Sequence, residues 1–199
     1  MKKFLITAFL FSVSNIASAN SIVNGSFEDT TQNSGTWSVY SSINGWTTVS
    51  GAGIEIRNNV IGTAQDGNNF VELDSHNNSA MAQTIATSAN SFYDLSFYYS
   101  PRISQPDSTN GISVFWNDVL IGDITAQGSS LNVWTLYSFT VKGTGSDVLK
   151  FAATGLNDSL GGNLDNVSLT PSPVPLPAAA WLFGSALIGF ISLSNRRKI

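Results

Sequence analysis

Apolar and polar positions alternate with a period of two along most of residues 20–170, and helical spacing is nearly absent there. Tyr93, Leu95, Phe97 and Tyr99 alternate with Asp94, Ser96 and Tyr98, which predicts a strand with one buried face. Ile112, Val114 and Trp116 repeat the pattern, Asn117-Asp118 marks a turn, and a further strand runs from Val119 to Ile124. Tyr137, Phe139 and Val141 alternate with Ser138 and Thr140. Comparable runs occur at Trp37 to Tyr40, Gly53 to Arg57, Phe70 to Asp74, Met81 to Thr87, Val148 to Ala153 and Leu164 to Leu169. Gly-, Asn-, Asp- and Ser-rich turns separate them. About ten short strands with such turns predict an all-β domain, an antiparallel β-sandwich. The one long connection, Ser100 to Gly111, carries Pro101, Arg102 and Pro106.

The two ends break the pattern. Lys2 and Lys3, the apolar run Phe4 to Val13 and the small residues Ala17-Ser18-Ala19 read as a secretory signal peptide over 1–19, with cleavage before Asn20. The run is shorter than the ~20 apolar residues a membrane span needs. Near the other end, Pro171, Pro173, Pro175 and Pro177 make 171–177 a stiff spacer. An uncharged apolar stretch over 178–194 follows, then Arg196, Arg197 and Lys198 in a basic tail, 195–199. This predicts a C-terminal transmembrane helix with the tail in the cytoplasm and the domain of residues 20–170 outside.

Val174-Pro175-Leu176-Pro177, followed by the apolar stretch and the terminal Arg/Lys cluster, resembles the sorting tag of PEP-CTERM proteins. Leu176 stands where that family's namesake Glu would be, as in a Val-Pro-Leu-Pro variant of the tag. The resemblance covers about the last 26 residues. It implies processing by an exosortase-type membrane enzyme and delivery to a polysaccharide-associated envelope.

Charge changes the picture of possible partners. All 13 acidic residues of the chain fall between Asn20 and Val174, against four bases there, Arg57, Arg102, Lys142 and Lys150, for a net charge of −9. An acidic domain argues against nucleic acid and anionic lipid as ligands. Cysteine is absent, so no disulfide can staple the domain.

A series of phrases resembles galactose-binding-like jelly rolls, a class that includes carbohydrate-binding modules. They are Asn24-Gly25-Ser26-Phe27-Glu28, Gly45-Trp46, Ile54-Glu55, Asn69-Phe70-Val71-Glu72-Leu73-Asp74, Tyr93-Asp94-Leu95-Ser96-Phe97, Trp134 and Gly161-Gly162-Asn163-Leu164-Asp165-Asn166-Val167. The resemblance implies that the first and last strands are neighbours, that Trp46 and Trp134 lie in the core, and that one structural calcium ion joins the ends. Glu28 and Asp165 occupy the matching places. Calcium takes six to eight oxygen ligands at flexible positions; the alternative is that both carboxylates cap turns or accept backbone amide hydrogens.

Catalytic candidates are sparse. His76 is the only histidine, and no Gly-x-Ser-x-Gly elbow accompanies it. Glu55, Glu72 and Asp74 could in principle form a glycosidase carboxylate pair, but they read more simply as surface or turn carboxylates. The sequence therefore points to a non-enzymatic protein. Sugar recognition needs aromatic faces beside hydrogen-bonding groups, and Trp37, Tyr40, Tyr98, Tyr99, Trp116 and Trp134 are the aromatic candidates. Arg57 and Arg102 each follow a strand and border a loop, where binding residues concentrate. Arg57, Tyr99 and Arg102 are the expected ligand-binding residues, with ordinary surface salt bridges as the alternative for the two arginines. Polysaccharide of the envelope or extracellular matrix is the expected partner. A structural protein without a defined ligand and a weak glycoside hydrolase are the other two readings.

Overall fold

The computed structural model describes residues 19–173. The expected signal peptide (apart from Ala19), the Val174-Pro175-Leu176-Pro177 motif, the apolar segment and the basic tail lie outside the described residues. Within them no helix is long and apolar enough to cross a membrane.

Twelve strands form: β1 Thr36–Tyr40, β2 Ser42–Ile43, β3 Trp46–Ser50, β4 Ile54–Asn58, β5 Asn69–Glu72, β6 Ala80–Ala86, β7 Phe92–Ser100, β8 Gly111–Trp116, β9 Val119–Ile124, β10 Thr135–Lys142, β11 Ser146–Thr154 and β12 Asn163–Pro171. They make two six-stranded sheets, ordered β1-β4-β5-β12-β7-β10 and β2-β3-β6-β11-β8-β9, and every pairing is antiparallel. From β5 onward, consecutive strands cross between the sheets rather than pair as hairpins, with β8–β9 the exception. This is the interleaving of an eight-strand jelly roll. The antiparallel sandwich expected from the period-two alternation is the fold observed.

The alternation sets the core directly. Tyr93, Leu95, Phe97 and Tyr99 of β7 are buried between the sheets, while Asp94, Ser96 and Tyr98 point the other way and are half-buried. Phe97 is central: its ring lies 5.0 Å from Phe151 in an edge-on contact and stacks near Tyr137 and Phe139. Trp46 is buried as expected and packs against Phe27 and Phe151, its indole N–H donating to the Asn24 carbonyl at 3.1 Å. Trp134 is placed differently. It is half-buried outside the core, edge-on to Phe70, and its N–H donates to Thr63 O at 3.0 Å.

The two ends of the domain meet. Ser21 N donates to Leu169 O at 2.8 Å, the Asn20 side-chain oxygen accepts from Leu169 N at 2.9 Å, and Val167 N donates to Gly25 O at 2.9 Å. A Cβ on Gly25 would fall 2.0 Å from Val167 O, so the glycine of the Asn-Gly-Ser-Phe-Glu phrase is there to let the two backbones touch.

Truncating the central ring should be costly. Phe97→Ala is expected to lower stability by roughly 3–5 kcal/mol, the usual loss for an aromatic removed from a packed core, read as a fall in the urea midpoint.

Candidate functional site

The outer face of the first sheet holds the chemistry. A strand's side chains alternate, so Ile54 and Ile56 of β4 enter the core while Glu55 and Arg57 point outward together. Register then puts Glu72 of β5 directly opposite Glu55, and Trp37 of β1 directly opposite Arg57. Two like charges facing each other across a ladder repel. Arg57 resolves this by bridging them, Nε donating to Glu55 Oε1 at 2.5 Å and Nη2 to Glu72 Oε2 at 3.1 Å.

Loops then roof this face, so that Glu55, Arg57, Glu72 and Asp74 are all buried. Glu72 Oε1 accepts from the backbone N–H groups of Asp74 and Gly161, each at 2.8 Å. Asp74 Oδ2 accepts from the N–H groups of Asp158, Ser159 and Leu160 at 3.0–3.4 Å. Four successive amides of the 158–161 segment therefore end on two carboxylates. Gly161 is required by this closeness, since a Cβ there would lie 2.4 Å from Glu72 Oε1.

The loop after β7 delivers the second arginine. Asn110, fully buried, accepts from Arg102 N at 2.8 Å and donates to the carbonyls of Gln105 and Pro106, which fixes the loop's shape. Arg102 Nη1 donates to Ser159 O at 3.2 Å and lies 3.9 Å from Glu72 Oε2. The two arginines, far apart in sequence, thus converge on one carboxylate. They line a cavity of about 300 Å³ with Trp37, Glu55, Ile61, Ser75, His76 and Ser159. Trp37 stands at its edge, 45% exposed, with the His76 ring edge-on at 6.2 Å. Arg57 Nη1 and Ser75 Oγ are buried with no hydrogen-bond partner.

The surface-salt-bridge alternative for Arg57 and Arg102 does not describe these buried groups. Of the two readings of Glu55, Glu72 and Asp74, surface or turn carboxylates, burial excludes the surface one, while Glu72 and Asp74 do accept loop amides. Tyr99 is not available as a stacking face: it is 1% exposed, because an odd-numbered position on β7 faces the core, and its hydroxyl donates to Asn110 O at 2.5 Å. The aromatic beside the arginines is Trp37. The signal for it was the adjacency of β1 to β4, which the chain order does not reveal.

Glu28 and Asp165 both grip the loop between β4 and β5. Glu28 Oε1 accepts from Asn68 N at 2.8 Å and Asn69 N at 2.6 Å. Asp165 Oδ2 accepts from Gln65 N and Asp66 N at 2.7 and 3.0 Å, and Oδ1 from Asn166 N at 2.7 Å. Among the described residues no group of three or more His, Cys, Asp or Glu side chains could hold a metal ion. The fit to calcium is poor. Glu28 and Asp165 each commit one carboxylate oxygen to two amide donors, and Glu28 Oε2 with the remaining lone pair of Asp165 Oδ1 falls well short of the six to eight oxygens calcium takes. The two residues act as amide acceptors, the alternative left open by the sequence.

Burial pushes Glu72 up to about 7 despite the opposing Arg57, and burial pushes Asp165 up to about 7 despite its amide donors. Asp147 is the opposite case. Burial would raise it, but hydrogen bonds from Thr87, Asn117 and Thr144 outweigh that and hold it at about 2.

These shifts have a sign that can be measured. Between about pH 4 and 7 the folded chain keeps protons on Glu72 and Asp165 that the unfolded chain releases, so stability falls as pH rises through that window. Each group should contribute on the order of 3 kcal/mol to the fall, a pKa unit being about 1.4 kcal/mol. Urea unfolding from pH 4.5 to 8 should show it, and Glu72→Gln should flatten the profile. A second expectation concerns the clamp: Asp165→Ala should lower the melting temperature equally in calcium and in chelator.

Comparison with known proteins defines the fold and little more. No family model matches the chain. Over 160 residues it is 29% identical to a multifunctional-autoprocessing repeats-in-toxin protein of Vibrio cholerae serotype O1. That match takes in 79% of this chain but only 3% of the toxin. Among solved structures, a cyclase from Fischerella sp. TAU aligns over 80% of this chain and all of its own, with a TM-score of 0.58 and 15% identity. An arabinose-bound α-L-arabinofuranosidase, MgGH51, aligns over 79% of this chain and 27% of its own, with a TM-score of 0.52 and 13% identity. Carbohydrate-binding modules of families 61 and 35 also align, but at TM-scores of 0.47 and below, too low to carry weight. At these identities the likeness is one of β-sandwich architecture.

Proposed function

We propose that the protein is an exported, non-catalytic surface module that binds polysaccharide of the envelope or extracellular matrix. In this reading the C-terminal Val174-Pro175-Leu176-Pro177 motif and apolar segment anchor it in the membrane until an exosortase-type enzyme reads the tag. The observation that carries the binding role is the cavity that gathers Arg57 and Arg102 beside the open ring of Trp37. Small-ligand sites combine an apolar or aromatic surface with a few convergent polar groups, and a sugar offers one apolar face and a rim of hydroxyls. The buried acids favour binding over hydrolysis. Glu72 is fully buried and each of its oxygens is already engaged by an arginine or by amides, whereas a glycosidase acid must reach the bond it cleaves.

Export finds support at the other end. Asn20, the first residue after the expected cleavage site, is bound into the domain through its side chain to Ile22 N and Leu169 N.

Two measurements test the reading. The mature protein recovered from envelope material should start at Asn20 on N-terminal sequencing; recovery from the cytosol with Met1 retained would refute export. On a glycan array the protein should retain one class of polysaccharide, and Trp37→Ala should lose that signal while keeping the wild-type melting temperature. No retention of any glycan would favour a structural surface protein instead.

A further inference from the structure

The cavity wall holds buried hydrogen-bonding groups that the protein itself leaves without partners. Burial and the nearby Arg57 both disfavour the charge of Arg102, and Glu72 sits between the two arginines. Glu55 engages only Arg57 Nε. Both arginines are nearly buried, and both line the cavity. Arg57 also keeps one buried nitrogen, Nη1, with no acceptor, and Ser75 in the same wall keeps a buried hydroxyl with none. A buried guanidinium nitrogen left unpaired is costly, and an anionic oxygen is the partner that removes the cost. Trp37, at the cavity's edge, offers a flat face beside that position.

We propose that this cavity takes the carboxylate of an acidic sugar, held by Arg57, Arg102 and Ser75 with the sugar ring against Trp37. The inference rests on the polysaccharide-binding reading and sharpens it. It separates Arg57, which here has two tasks, from an arginine that only neutralises Glu55 and Glu72.

Binding of an anion here depends on pH. The charged and titratable groups around Glu72 are Glu55 and Arg57 from β4, Asp74 from the segment after β5, Arg102 from the loop after β7, Asp158 from the loop before β12, and His76 in the cavity lining. With Glu72 ionised, it and Glu55 both offset the two arginines, and Asp74 and Asp158 stand close by. Protonating Glu72 removes the negative charge that lies between the two arginines. Glu72 titrates at about 7 because of burial, whereas a sugar carboxylate stays ionised well below that. Affinity for the anion therefore rises as pH falls from 8 to 6, by about tenfold if only the protonated form binds.

Isothermal titration of the full-length protein in a non-ionic detergent tests this, with D-glucuronate, D-glucose and acetate as probes at pH 6 and pH 8. Glucuronate should bind saturably at pH 6, about tenfold more weakly at pH 8, and more tightly than either glucose or acetate. Glu72→Gln should bind it equally at both pH values, and His76→Gln should keep the wild-type dependence. Arg57→Lys retains a charge for Glu55 and Glu72 but loses the free nitrogen, and should weaken glucuronate about tenfold or more, in the range of a lost charge-assisted hydrogen bond. If Arg57→Lys does not give a wild-type melting temperature, Ser75→Ala serves in its place and should weaken binding several-fold. Equal affinity for glucuronate and glucose, equal affinity for glucuronate and acetate, or unchanged binding by the variant would each overturn the proposal. A neutral glycan retained on the array, with no glucuronate binding, would overturn it while leaving the polysaccharide-binding reading in place. Loss of both would remove the two together.

Discussion

A carboxylate oxygen that accepts a backbone N–H from a distant loop is the interaction on which this domain depends. Two stacked six-stranded sheets supply the core, but the outer face of the first sheet carries Glu55, Arg57, Phe70, Glu72 and Asp165, which have to be covered by loops. Loops have unpaired amides, and a buried amide without a partner is expensive. Glu72 and Asp74 take the amides of residues 158–161, Asp165 takes those of 65 and 66, and Glu28 takes those of 68 and 69. At the opposite end Asp147 does the same for Thr144 N while accepting from Thr87 and Asn117. A chain without cysteine uses its acids as staples.

This recasts the domain's acidity. Thirteen acids against four bases reads, in sequence, as a negative surface. Glu72, Asp74, Asp147 and Asp165 are fully buried and Glu55 nearly so, and they point at amides, hydroxyls and guanidinium groups rather than at solvent. Net charge says how many acids a domain has and is silent on where they face. Here a good part of the count is internal scaffolding, and the two bases buried among the described residues, Arg57 and Arg102, lie beside the facing pair Glu55 and Glu72.

Sequence reading recovered the sheets well and the site in part, for a physical reason. Period-two alternation is a local property, so β7, β8, β10 and β12 are visible in their own residues. Strands β2 and β3 escaped because Trp46 is the only fully buried side chain in either, and Val49, the other apolar residue of β3, is exposed and out of step with it. Glu55 and Arg57 share a face by the same local rule. What no local rule supplies is the neighbour: that β4 lies between β1 and β5 puts Trp37 and Glu72 beside Arg57, and that the loop after β7 folds over this sheet brings in Arg102. Tyr99 and Trp134 went astray for matching reasons. Tyr99 is only three residues from Arg102 in sequence, but the alternation of β7 turns its ring into the core. Trp134 precedes β10 and packs on the loop-covered outer face, so a tryptophan beside a strand was no guarantee of a core position.

The arrangement at Glu72 is unfavourable by the standards of a purely structural contact. Two well-packed apolar residues in place of a buried ion pair are often as stable or more so, and this cluster adds a second arginine, an unpaired guanidinium nitrogen and a carboxyl held well above its ordinary range. Loop fastening does not account for it, because Asp165 fastens its own loop with no arginine near it. Arg57 is needed to keep Glu55 and Glu72 from repelling each other, but that task calls neither for Arg102 nor for a further, unpaired Arg57 nitrogen. What the arginines add is two guanidinium groups in the wall of a cavity that Trp37 borders. Local departures from the most stable arrangement concentrate where a protein meets its ligand, and on this domain the departure and the cavity coincide.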